Sequence, residues 1–196
     1  MNEGGYRITD QYGTYFMTHT IVGWVDLFTR NACVQILINS LKYCQENQGL
    51  ILYAYVIMGS HVHLVAAAKE GSSGLSAIVR NYKTFTSKKI IEWISDNRKE
   101  SRRDWLDMIF KYHGKYNSNN NVYQVWQQHN KPMQCVTPWF TLQKINYIHN
   151  NPVKAGFVDR PEDFRFSSAR NYNGKTDVVL YVQVLDYGSL VGYIGG

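Results

Sequence analysis

Apolar and polar positions recur along the chain regularly enough to divide most of it into elements. Residues 14–22, TYFMTHTIV, are rich in aromatic and β-branched types with partial alternation, which predicts a strand. Residues 31–48 place Cys33, Ile36, Leu37, Leu41 and Cys44 at three- and four-residue spacing, which predicts an amphipathic helix ending near Gly49. LILYAYVIM (50–58) and HVHLVAAA (61–68) are two apolar runs separated by Gly59-Ser60, the pattern of a β-hairpin.

Residues 74–95 read as a second long helix, with Leu75, Ile78, Val79, Tyr82, Phe85, Ile90, Ile91 and Ile94 on its apolar side. The polar stretch 96–121 predicts further helix and then a loop, and VYQVWQ (122–127) a short strand. A last helix, WFTLQKINYIHNN (139–151), should stop at Pro152, with Gly156 just beyond. The order β-α-β-β-α-β followed by a helix predicts an α+β, ferredoxin-like (RRM-like) fold, with an antiparallel sheet, helices on one face and an additional C-terminal helix. One domain is expected over residues 1–196, with its core at about 14–172 and a tail from 173 to 196. That architecture serves enzymes and RNA-binding modules alike, so function has to come from particular residues.

Composition narrows the classes. Hydrophobic residues make up 44% and charged residues only 18%, which argues against a disordered chain. No apolar run approaches the roughly 18 residues of a membrane span, and the N-terminus lacks a signal-peptide core. A cytoplasmic protein is expected, nucleoid-associated when bound to DNA. The net charge of +6 favours an anionic partner, nucleic acid first. Cys33, Cys44 and Cys135 form no CxxC pair and read as thiols in a reducing compartment. Fifteen tyrosines mean that no single one can be given a chemical role without further argument.

His61-Val62-His63 is the sharpest local feature. Residues two apart on a strand project from the same face, so both imidazoles can converge on one metal ion while Val62 points to the core. By spacing alone, two half-exposed histidines at a hairpin edge remain the commoner explanation. The helix 139–151 offers a partner for them. At about 100° per residue, Trp139, Leu142, Ile145 and Ile148 share one side, while Phe140, Gln143, Lys144, Tyr147 and Asn151 share the other. Tyr147 and Asn151 stack one turn apart, off the apolar stripe; His149 lies near the stripe and reads as structural. A surface tyrosine is the bland alternative. The chemistry that would unite the set is phosphoryl transfer to a tyrosine. A divalent cation on His61, His63 and a side-chain amide such as Asn151 would stabilise charge on the phosphate oxygens while Tyr147 attacks. Mg²⁺ or Mn²⁺ suits such a site, and Zn²⁺ is chemically compatible.

These residues carry a resemblance. HVH on the second hairpin strand, NYKTFTSKKI, VWQQ and YIHNNPVKAGFV together resemble the single-tyrosine HUH transposases, most closely the REP-associated tyrosine transposases, over about Tyr15 to Tyr172. The resemblance implies that His61 and His63 bind the metal. It also implies that Tyr147, the first tyrosine of the Y-I-x-x-N-P-V segment, is the nucleophile, and that Asn151 completes the metal site. It further implies a substrate of single-stranded DNA with imperfect, REP-like hairpins, cut and rejoined through a 5′-phosphotyrosine without a nucleotide cofactor. Either a monomer or a homodimer that exchanges the tyrosine helix is consistent with it. Gly59-Ser60 before the first histidine departs from the bulkier polar or acidic residues of relatives, which bears on the sequence recognised.

Arg80, Lys83 and Lys88 in the second helix are candidate phosphate contacts, and Gln127 beside Trp126 a candidate polar neighbour of the DNA. Two competing functions remain. A non-catalytic nucleic-acid-binding module would not need Tyr147, and the RRM strand signature is absent. A hydrolase of small phosphoesters would need the histidines but attack with water.

Overall fold

The computed structural model describes residues 7–115, 122–128 and 130–186. The asparagine-rich end of the expected loop, 117–121, and the end of the tail lie outside them. Four strands, β1 (Tyr15–Thr20), β2 (Leu50–Ile57), β3 (His61–Ala68) and β4 (Met133–Gln134), form one antiparallel sheet in the order β2-β3-β1-β4. This is the ferredoxin-like order expected from the sequence. The helices are α1 (Asn31–Asn47), α2 (Leu75–Asp96), α3 (Arg103–Lys115), α4 (Pro138–Lys154) and the short α5 (Ala169–Tyr172).

The pleat sends alternate residues to opposite faces. Tyr15 and Met17 of β1, Leu52, Tyr55 and Ile57 of β2, and Val62, Leu64 and Ala66 of β3 join α1 and α2 in the main core. Phe16, Ala54, Val56 and Val65 point the other way and form a second, smaller cluster with Ile145 and Ile148 of α4. Thus α4 lies on the face that α1 and α2 leave open. The hairpin between β2 and β3 is clamped from outside: Phe28 N–H donates to Gly59 O at 2.8 Å and Ile21 N–H to Ser60 O at 2.9 Å.

Three expectations need correction. VYQVWQ is not a strand. Val125 and Trp126 are buried, but the segment pairs with β1 and its continuation only through the backbone bonds Val22 N–H to Val125 O (2.9 Å) and Gln127 N–H to Thr20 O (2.8 Å), with one bridge between Ile21 and Trp126. The ladder breaks there and resumes at Met133, so the β-branched and aromatic composition reported burial rather than pairing. Helix α4 does not stop at Pro152. Proline fits helical φ and forfeits only its own N–H, and Pro152 is buried in the helix. The end comes where Gly156 takes φ 73° and Phe157 N–H returns to Pro152 O at 2.9 Å. Lastly, Trp139 and Phe85 stand exposed rather than on core stripes; Thr141, His149 and Pro152 complete the inward face of α4 instead.

Beyond α5 the chain continues over β2. Leu180 is buried in the main core and Gln183 N–H donates to Leu52 O at 2.8 Å, while just before α5 Phe166 O accepts from Ile57 N–H at 2.9 Å. These contacts cover an edge strand that would otherwise present unpaired backbone groups.

Candidate active site

His61 and His63 occupy alternate positions of β3, so both side chains rise from the α4 face, where Thr18 of β1 stands opposite His63. Their rings are 4.8 Å apart at 71°. Each Nδ1 is engaged by a hydroxyl: His63 with Thr18 Oγ1 at 2.8 Å, His61 with Ser60 Oγ at 3.2 Å. Fixing Nδ1 fixes the ring orientation and leaves Nε2 as the outward nitrogen. Burial drives the His63 pKa down to about 3, with His61 and Lys144 adding to it. Burial also lowers that of His61, partly offset by its hydrogen bond to the Asn151 side chain. Both rings are therefore neutral at pH 7, the form that ligates a metal.

Helix α4 brings the rest. Tyr147 stands edge-on to His63 with ring centroids 5.2 Å apart and edge-on to Phe16 at 5.8 Å. It keeps 41% exposure, although the turns on either side of it are anchored by Ile145 and Ile148. One turn later Asn151 reaches His61. The two helix residues thus map in order onto the two histidines, Tyr147 to His63 and Asn151 to His61. Two imidazoles and one amide form a neutral set that fits a divalent ion retaining water or phosphate oxygens. Among the described residues no cluster of three His, Cys, Asp or Glu exists, so the amide is what this face offers as a third ligand.

Two lysines join the site: Lys144, which the helical wheel puts on the Tyr147 side without a role, and Lys154, which lies beyond the expected helix. Lys144 Nζ lies 6.0 Å and Lys154 Nζ 5.9 Å from the centre of the Tyr147 ring, and Lys144 also lies over Phe16 at 5.0 Å. Residues 144, 147, 151 and 154 follow 3-4-3 spacing, a helical stripe visible in the sequence had the wheel been carried one turn past Pro152. Thr18 and Ser60 had no sequence signal, because their role depends on strand pairing and the hairpin turn. His149 is buried, as its stripe suggested: its Nε2 meets Ser168 Oγ at 2.9 Å and burial lowers its pKa to about 4.

Arg80, Lys83 and Gln127 all line one cavity of about 790 Å³ on the α1/α2 side, between α2 and residues 123–128, 130 and 132. Arg7 joins them, and among the described residues no carboxylate does. Lys83 is drawn inward: its Nζ donates to Gln127 O at 3.0 Å, lies 5.9 Å from the Trp126 ring centre, and burial lowers its pKa to about 8. With the Asn130 amide oriented to satisfy its neighbours, its nitrogen donates to Thr18 O (3.1 Å) and its oxygen accepts from Lys83 (2.8 Å). Thr18 therefore touches His63 on one side of the sheet and, through its backbone, the cavity rim. Lys88 is exposed farther along α2.

No protein-family model matches the chain, and no curated protein matches its sequence. Among solved structures, a REP-associated tyrosine transposase bound to a REP hairpin covers 90% of this chain and 89% of its own, with a TM-score of 0.58 and 20% identity. The fold is that of a REP-associated tyrosine transposase. At this identity the likeness to the REP-associated tyrosine transposase speaks for architecture, and the chemistry rests on the residues described above. No helix among the described residues is long and apolar enough to cross a membrane.

Proposed function

We propose that this protein is a metal-dependent transesterase of single-stranded DNA, transposase-like, with Tyr147 as nucleophile. The observation that carries the reading is the pairing of α4 with β3: the tyrosine faces His63 while the amide one turn later faces His61. The phenolic oxygen of Tyr147 attacks phosphorus, the P–O3′ bond breaks, and the strand 3′ of the cut stays attached as a 5′-phosphotyrosine. The phenol proton passes to solvent and the leaving 3′-oxygen takes one up. The reverse attack by a 3′-hydroxyl rejoins strands with no other energy source. A divalent ion, Mg²⁺ or Mn²⁺, held by His61, His63 and Asn151, supplies charge neutralisation at the phosphate.

The ammonium groups of Lys144 and Lys154 bring positive charge to the phosphate that Tyr147 attacks. Thr18 and Ser60 hold the imidazoles in place. Arg80 and Lys88 contact phosphates, and Lys83 and Gln127 shape the cavity beside them. The substrate is a hairpin-bearing single strand, in keeping with the REP hairpin bound by the structural neighbour. One chain is able to supply His61, His63, Tyr147 and Asn151 together, so a second copy is not required to complete the site.

The test is denaturing electrophoresis of the protein with labelled hairpin oligonucleotides and Mn²⁺ or Mg²⁺. A protein–DNA adduct that needs the ion and disappears in Tyr147→Phe and His61→Ala is the expected result. Cleavage without an adduct, unchanged in Tyr147→Phe, would replace the reading by a water-using nuclease. Binding without cutting on every hairpin would replace it by a binding module.

A further inference from the structure

Trp24 lies outside everything assigned so far. It is 64% exposed, so the core gains little from its indole. It is also the one non-glycine residue with positive φ (55°) among the described residues, directly after Gly23 at φ 61°. A bulky side chain is disfavoured there, and glycine would occupy the position without strain. A large apolar residue, strained in backbone and bare in side chain, is held for a purpose other than folding. The turn that carries it is firm. Trp24 N–H donates to Ile21 O at 3.1 Å, and Gly23 packs against Ile109 and His113 of α3.

Its position supplies the purpose. The indole stands 5.8 Å from the His61 ring at 72°. Along β3 the order is therefore Trp24, His61, His63, Tyr147, with the tyrosine at the far end. On the function proposed above, Tyr147 attacks in line, so the leaving 3′-oxygen departs on the side of phosphorus away from the tyrosine. For a phosphate seated over the two histidines, that side would run toward His61 and Trp24.

We propose that Trp24 is the stacking platform for an unpaired base, that of the nucleotide whose 3′-oxygen leaves when Tyr147 attacks. Stacking there retains the free 3′-hydroxyl end beside the phosphotyrosine, ready for the rejoining step. An indole face accepts any base, so the contact contributes affinity with little sequence preference.

The test uses Tyr147→Phe protein with Mn²⁺, so that binding is read without cutting. Fluorescence anisotropy is measured with a labelled single strand of mixed sequence, and with the hairpin strand that gives the adduct. Trp24→Ala and Trp24→Gly should weaken both by roughly 5- to 100-fold, and Trp24→Phe by far less. Trp24→Gly should melt no lower than its parent, which separates lost stacking from lost folding. An abasic site just 5′ of the cut should erase the penalty of Trp24→Ala, whereas abasic sites elsewhere should leave it. Unchanged affinity in Trp24→Ala overturns the proposal, as does a penalty indifferent to abasic position. If Tyr147 protein forms no adduct with any strand yet Trp24→Ala loses affinity, the stacking site stands and its assignment to the leaving nucleotide falls.

Discussion

The two faces of the sheet are built from the same strands and treated differently. On one, Met17, Leu52, Tyr55, Val62 and Leu64 meet α1 and α2 in a continuous apolar core. On the other, the apolar side of α4 covers the half around Ala54, Val56 and Val65, and its polar side lies over His61 and the buried His63. Stability is concentrated on the first face. The second uses a small apolar contact to position a helix whose polar stripe then overhangs the histidines. Because side chains alternate, Val62 and His63 are neighbours in sequence and belong to different tasks.

Substitutions on the two faces should therefore separate activity from stability. Tyr147→Phe has the largest expected effect: adduct formation should fall to background on a denaturing gel, with a change in stability within about 0.5 kcal/mol in urea unfolding, since the side chain is part-exposed. Leu64→Ala should do the reverse. It should cost about 2–5 kcal/mol of stability by denaturant titration, while the folded fraction keeps its activity. Thr18→Val removes the partner of His63 Nδ1 with little change of volume, and should weaken metal affinity about 10- to 100-fold in a Mn²⁺ titration of cleavage. The last effect is graded with pH. His63 and His149, with values lowered to about 3 and about 4, bind fewer protons folded than unfolded as pH falls below 6.5. Stability should thus decline from pH 6.5 toward 4, by up to about 1.4 kcal/mol per pH unit per histidine, in melts run across that range. His149→Gln should flatten the slope and leave metal-dependent cleavage in place. A flat profile in the parent would contradict the burial of both rings.

The legible parts of the fold are those written in local periodicity. The hairpin, α1 and α2 follow from runs and spacings within single segments, and the two-residue spacing of His61 and His63 is enough to put them on one face of a strand. The helical wheel likewise separates Tyr147 and Asn151 from Ile145 and Ile148, the division that α4 makes. What escaped depends on partners distant in sequence. VYQVWQ has strand composition, yet its neighbour Thr20–Val22 offers it only two hydrogen bonds. Trp139 sits on the apolar side of the wheel, but the second face of the sheet does not extend far enough to cover it. The strain at Trp24 is a backbone property with no signature in residue type. The approach of Lys154 to Tyr147 was hidden because Pro152 suggested that the helix ended before it.

One helix carries both Tyr147 and Asn151, and it docks on the sheet through Thr141, Ile145, Ile148, His149 and Pro152. On the proposed function, an ion gripping Asn151 and the two histidines would work as a clasp between helix and sheet, and clasping is reciprocal. Whatever free energy the ion gains from a docked α4, the docked position gains from the ion, so loading the metal would bring the nucleophile into register by the same act. The protein would hold that phenol aimed most firmly with the ion in place.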